Sequence, residues 1–144
     1  MTNEYFMKEA LKEAHKALEK DEVPIGAVLV FNNRIVARAH NQVELLQDVT
    51  AHAEMLCITS ASAAFQSKYL SDCTLYVTLE PCMMCAAAIG WAQIGRLVFG
   101  AFDEKKGYTL FHKSPLHPKC AVESGVLQND CAQLLKDFFK TKRN

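Results

Sequence analysis

The chain has 144 residues, half of them hydrophobic and 22% charged, a profile that fits one soluble domain with its own core and excludes a disordered chain. Sixteen Lys and Arg balance sixteen Asp and Glu, so no overall field attracts nucleic acid and any such contact needs a local basic patch. No uncharged apolar run approaches the roughly 20 residues that span a bilayer and no targeting signal is visible, which points to a cytoplasmic protein without membrane contact.

From Glu4 to Lys20, Phe6, Ala10, Leu11, Ala14, Ala17 and Leu18 recur at helical spacing, with Asn3 as the expected cap. Val23 to Phe31 and Ile35 to Ala37 are apolar, β-prone runs around Asn32-Asn33, the pattern of a β-hairpin. Ala51 to Ala64 reads as a helix and Thr74 to Leu79 as a buried strand. Pro81 suits the first position of a helix running to Ala92. Arg96 to Ala101 and Ala121 to Ser124 are strand candidates, separated by a long loop over Asp103 to Lys119, and Asp130 to Lys140 reads as a last helix. The order αββαβαβ, loop, βα predicts an α/β domain of three layers, α/β/α, around a mixed five-stranded sheet.

Cys82-Met83-Met84-Cys85 sets two thiols three residues apart at an expected helix start, where they share a face and the helix dipole favours thiolates. His52-Ala53-Glu54 falls at another helix start. Within a regular helix, residues two apart diverge by about 200°, so His52 and Glu54 serve one site only if His52 stands in an irregular first turn. One imidazole and two thiolates suit one zinc ion per chain, and three protein ligands leave a fourth position for water, the pattern of a catalytic centre. Glu54 is the residue placed to carry protons in a hydrolysis.

H-x-E followed by P-C-x-x-C is the established signature of zinc nucleobase deaminases. Over nearly its whole length the chain resembles the bacterial tRNA-specific adenosine deaminase family, within the cytidine/deoxycytidylate deaminase superfamily. The likeness lies in Val23-Pro24-Ile25-Gly26-Ala27-Val28, in His52-Ala53-Glu54, in the run from Thr74 to Cys85, in Arg96 to Ala101 and in Asp137-Phe138-Phe139-Lys140. It implies a single CMP/dCMP-type deaminase domain over 1–144 with a cytidine-deaminase-like fold, a homodimer, and hydrolysis of the amidine C–N bond of a wobble adenosine in a tRNA anticodon stem-loop, giving inosine. It also implies that Asn41 and Ala53 touch the flipped base, that Asp103 and Lys105 lie near the anticodon nucleotides, and that Phe138, Phe139, Lys140 and Arg143 touch the loop. After Asp103 the chain departs from the family's longer Gly/Ala-rich segment and reads Lys105-Lys106-Gly107-Tyr108-Thr109-Leu110-Phe111.

Other readings share parts of this pattern. Guanine and cytosine deaminases carry the same metal motif. A C-x-x-C at a helix start also suits a thioredoxin-like redox protein, which leaves His52-Ala53-Glu54 without a role. A closed structural zinc site needs a fourth ligand, for which His40, Cys57 and Cys73 are the candidates. Otherwise Cys57, Cys73, Cys120 and Cys131 read as small buried hydrophobes.

Overall fold

The computed structural model describes residues 1–143, the side chain of Arg143 excepted. The Arg143 contact implied by the resemblance therefore lies outside the described residues. Helix α1 covers Asn3–Glu19, strands β1 and β2 cover Gly26–Phe31 and Arg34–His40, and helices α2 and α3 cover Val43–Leu46 and Ala53–Phe65. Strand β3 (Thr74–Leu79), helix α4 (Met83–Trp91), strand β4 (Arg96–Ala101), strand β5 (Ala121–Ser124) and helix α5 (Gln128–Arg143) follow.

The strands form one mixed sheet in the order β2-β1-β3-β4-β5. β1 runs antiparallel to β2 and β3, whereas β3, β4 and β5 are parallel. Alternation along the strands divides the core into two layers, because successive side chains leave a strand on opposite faces. Ala27, Leu29, Leu75, Val77, Leu97 and Phe99 join Cys57 of α3 and Ile89 of α4 on one face. Val28, Val30, Tyr76 and Val98 join Phe6, Met7 and Ala10 of α1 and Cys131 of α5 on the other. This is the expected three-layer α/β/α arrangement. The hairpin turns at Asn32 and Asn33, both with positive φ (49° and 61°), a conformation that asparagine tolerates better than most residues. Gly26 lets α1 approach the sheet: a Cβ there would collide with the Ala10 carbonyl.

Several boundaries differ from the sequence reading, each for a physical reason. Thr2, not Asn3, caps α1, its hydroxyl accepting the Tyr5 N–H at 3.1 Å. Asn3 is instead drawn across the sheet to Tyr76 and Glu123, at 2.8 Å each. Pro81 precedes the α4 cap and does not open the helix. Its carbonyl accepts the Tyr108 N–H at 3.0 Å and Cys82 makes a β-bridge to Gly107, so the chain stays extended until Met83. The single turn α2 is too short to show periodicity in the sequence, and a distant carboxylate holds it: Glu22 accepts the N–H groups of Glu44 (3.0 Å) and Leu45 (2.8 Å). Along α5, Cys131, Leu135 and Phe138 are buried, Leu134 is half-buried and Phe139 is exposed.

Candidate metal centre and its surroundings

The site assembles where two helices begin. His52 and Cys82 cap α3 and α4, with extended backbones (ψ 153° and 172°) that precede the first helical residue. That is the irregular position His52 needed. From it the imidazole turns towards α4, while Glu54, two residues on, lies inside the first turn of α3 and is only 4% exposed. Cys85 follows in the first turn of α4 and is fully buried.

His52 Nδ1 stands 3.8 Å from Cys82 Sγ and 3.5 Å from Cys85 Sγ, and the ligand atoms of all three residues lie within 4.8 Å of one another. A thiolate about 2.3 Å and an imidazole nitrogen about 2.0 Å from a tetrahedral zinc stand roughly 3.5 Å apart. The donor set therefore fits such an ion in both chemistry and spacing. Among the described residues no fourth His, Cys, Asp or Glu completes the group. The candidates for a closed structural site are committed elsewhere or remote: Cys57 donates to the Ala27 carbonyl at 3.4 Å, His40 pairs with Glu13 at 3.3 Å, and Cys73 sits at the far end of β3. The six cysteines are all free thiols.

The electrostatics favour metal binding and proton transfer. The hydrogen bond from Cys85 and, against burial, that from His52 hold the Cys82 thiol down to about 4. The same sulfur contact, together with burial, drives Cys85 upward. His52 is raised by its bond to Cys82, against burial and the like charge of Lys106. Burial pushes Glu54 up to about 7, the range in which a carboxyl can both accept and donate a proton near neutral pH.

Around this centre, Asn41 is buried and its Oδ1 accepts the Ala53 N–H at 2.8 Å. Its oxygen thereby serves the backbone at the start of α3. Asp103 forms a tight turn: its Oδ1 accepts the N–H groups of Lys105 and Lys106, at 3.0 Å each, and both lysines are exposed. Phe138 and Phe139, expected together at the substrate loop, differ in exposure. At 7% exposure the Phe138 ring lies inside the protein, whereas Phe139 is 44% exposed. The sequence reading singled out neither Glu80, which is buried two residues before Cys82, nor Lys106, whose charge reaches His52. The only signal for Glu80 was a charge closing an apolar strand just before Pro81.

A mixed sheet sandwiched by helices, with a His-Cys-Cys cluster and a buried glutamate at two helix starts, defines a hydrolytic deaminase of the cytidine-deaminase-like class. The MafB19-like deaminase family model matches residues 1–143. The tRNA-specific adenosine deaminase of Bacillus subtilis (strain 168) is 49% identical, over 98% of this chain and 91% of that protein. The protein of the same description from Aquifex aeolicus (strain VF5) is 44% identical, over 100% and 98%. A solved structure from work on A-to-I editing by tRNA:A34 deaminases superposes with a TM-score of 0.86 at 47% identity, covering 91% of this chain and 99% of that one. The chain belongs to the tRNA-specific adenosine deaminase family.

Proposed function

We propose that this chain is one deaminase domain that converts the wobble adenosine of a tRNA anticodon to inosine, with a zinc ion held by His52, Cys82 and Cys85. The observation that carries the chemistry is the convergence of those three ligand atoms beside buried Glu54. The choice of substrate follows the relatives, whose similarity runs the length of the chain. When bound there, zinc supplies the Lewis acidity that makes water a nucleophile near neutral pH.

Glu54 moves the protons. Its carboxylate takes one from the attacking water and delivers it to N1 of the adenine as oxygen bonds to C6. It then passes the second to the amino group, the C6–N bond breaks, and ammonia leaves a carbonyl behind. Asn41 offers its NH2 group to the extruded base, Ala53 borders the same pocket from the start of α3, and Asp103, Lys105 and Phe139 border the RNA. Exposed Trp91, at the end of the apolar helix α4, forms part of a two-fold dimer seam. Among the described residues no helix is long and apolar enough to cross a membrane, and a tRNA substrate belongs in the cytoplasm.

The test is inosine release from an anticodon stem-loop with adenosine at the wobble position, run beside free guanine, cytosine and adenosine. Turnover of the stem-loop with little on the free bases is the expected result. Turnover of free guanine alone overturns it.

A further inference from the structure

Two residues before Cys82, Glu80 is 2% exposed, and among the described residues no ion pair involves it. Its carboxylate is satisfied by one segment alone. Oε1 accepts the Asp103 N–H at 3.0 Å, and Oε2 accepts both the Thr109 N–H at 2.8 Å and the Thr109 hydroxyl at 2.7 Å. An ionised carboxylate can only accept, so this set of donors suits it and would not suit an amide, whose NH2 group would face another donor. Gly107 closes the wrap, since a Cβ there would collide with the carboxylate. Residues 103–109 thus fold round Glu80, and the bridge from Cys82 to Gly107 ties the same segment to a metal-ligand residue. The two cationic residues of this segment, Lys105 and Lys106, are both exposed, and among the described residues neither forms an ion pair.

We infer that Glu80 is a positioning residue for the RNA substrate, holding the 103–109 loop so that Lys105 and Lys106 present their ammonium groups to phosphates beside the site. This rests on the RNA reading above. None of the hydrogen bonds to the Glu80 side chain comes from residues 82–85, so its influence on substrate binding exceeds its influence on the metal. A loop anchored at both ends by one carboxylate keeps only one of its anchors when an amide takes its place, because the NH2 group then faces a donor at the other end.

The experiment measures KM, kcat and zinc content of the full-length protein on the wobble-adenosine stem-loop for Glu80→Gln, Thr109→Val and Thr109→Ser, each over a salt series. Glu80→Gln is expected to raise KM about tenfold while kcat stays within about threefold, the pattern of lost binding shared by ground and transition states. Zinc stays near its parental content. The slope of log(kcat/KM) against log[salt] flattens by about one as phosphate contacts are lost, close to the ~0.7 per contact of single strands. Thr109→Val moves KM the same way by less, and Thr109→Ser, which keeps the hydroxyl, restores it. Lys106→Ala has a smaller effect in the Glu80→Gln background than in the parent. If Glu80→Gln does not fold, the Thr109 pair and its salt slopes decide.

Loss of zinc with a fall in kcat at constant KM overturns the assignment and makes Glu80 a support of the metal ligands. An unchanged KM in variants of an active parent overturns it too. A parent that leaves the stem-loop untouched while turning over a free base overturns the RNA reading, and this assignment with it.

Discussion

Asn41 Oδ1 accepts the Ala53 N–H at 2.8 Å, joining the segment after β2 to the first turn of α3, the helix that carries His52 and Glu54 at its start. Removing that acceptor leaves a buried N–H unpaired, so Asn41→Ala should cost about 1–2 kcal/mol and lower the melting temperature by several degrees. Asn41→Asp keeps the acceptor and should melt near the parent, yet it lacks the NH2 group proposed to meet the base. A calorimetric scan beside a KM measurement separates the two roles. Equal stability loss in both variants would remove the hydrogen bond from the explanation.

Glu54→Gln should bind the metal like the parent and lose at least about 100-fold in turnover, the low end of what a positioned acid–base group contributes. Metal analysis and single-turnover deamination check it. Retained turnover would take the proton-carrying role from Glu54.

Cys82→Ala should behave differently, with the zinc content itself falling, because the residue whose thiolate is held at about 4 is lost from the donor set. Chelation of the parent should abolish activity and lower the melting temperature, since a metal that binds only the native state stabilises it. Readdition of zinc should restore both. A chelated protein with full activity would argue against a metal centre.

Glu13 is a buried carboxyl of α1. Burial raises it, but its bonds to Lys16, His40 and Arg38 prevail and leave it below its ordinary 4.5. A group whose folded-state pKa is depressed contributes stability above its unfolded value and loses it as pH falls through the folded one. Glu13→Gln should therefore lower the urea midpoint at pH 7, and the gap to the parent should close as pH drops below about 4.5. Parallel midpoint curves over that range would contradict the pairing.

The adjacent phenylalanines of α5 should separate cleanly. Phe138→Ala opens the interior and should cost about 3 kcal/mol or more. Phe139→Ala should alter stability by less than about 0.5 kcal/mol. If Phe139 stacks on RNA, its loss should weaken stem-loop binding by about 1–3 kcal/mol. Denaturation and RNA titration of the pair measure both effects.

The strands and the candidate metal cluster were legible because each rests on a local rule. The apolar runs at Ala27 to Val30 and at Leu75 to Val77 mark strands buried on both faces, and the spacing of Cys82 and Cys85 follows one helical turn. The three-residue set His52, Cys82 and Cys85 could be named before its geometry was known. What could not be read was carried by contacts distant in sequence. Glu22 reaches α2, Asn3 reaches Tyr76 and Glu123, and Glu80 reaches Asp103 and Thr109, each from more than 20 residues away. A lone glutamate in a sequence looks the same whether it faces water or gathers three donors. Phe138 and Phe139 were alike on paper as well, and only the helix phase turned one inward.

Trp91, the single tryptophan of the chain, is 84% exposed beside a shallow cavity lined by Gly90, Pro115, Leu116 and Pro118. An indole already hydrated in the folded chain emits at long wavelength and shifts little further on unfolding, so intrinsic fluorescence will report denaturation of the isolated subunit poorly. The same property makes it a sensitive optical gauge of association. A blue shift that grows with protein concentration would mark the point at which another surface covers α4.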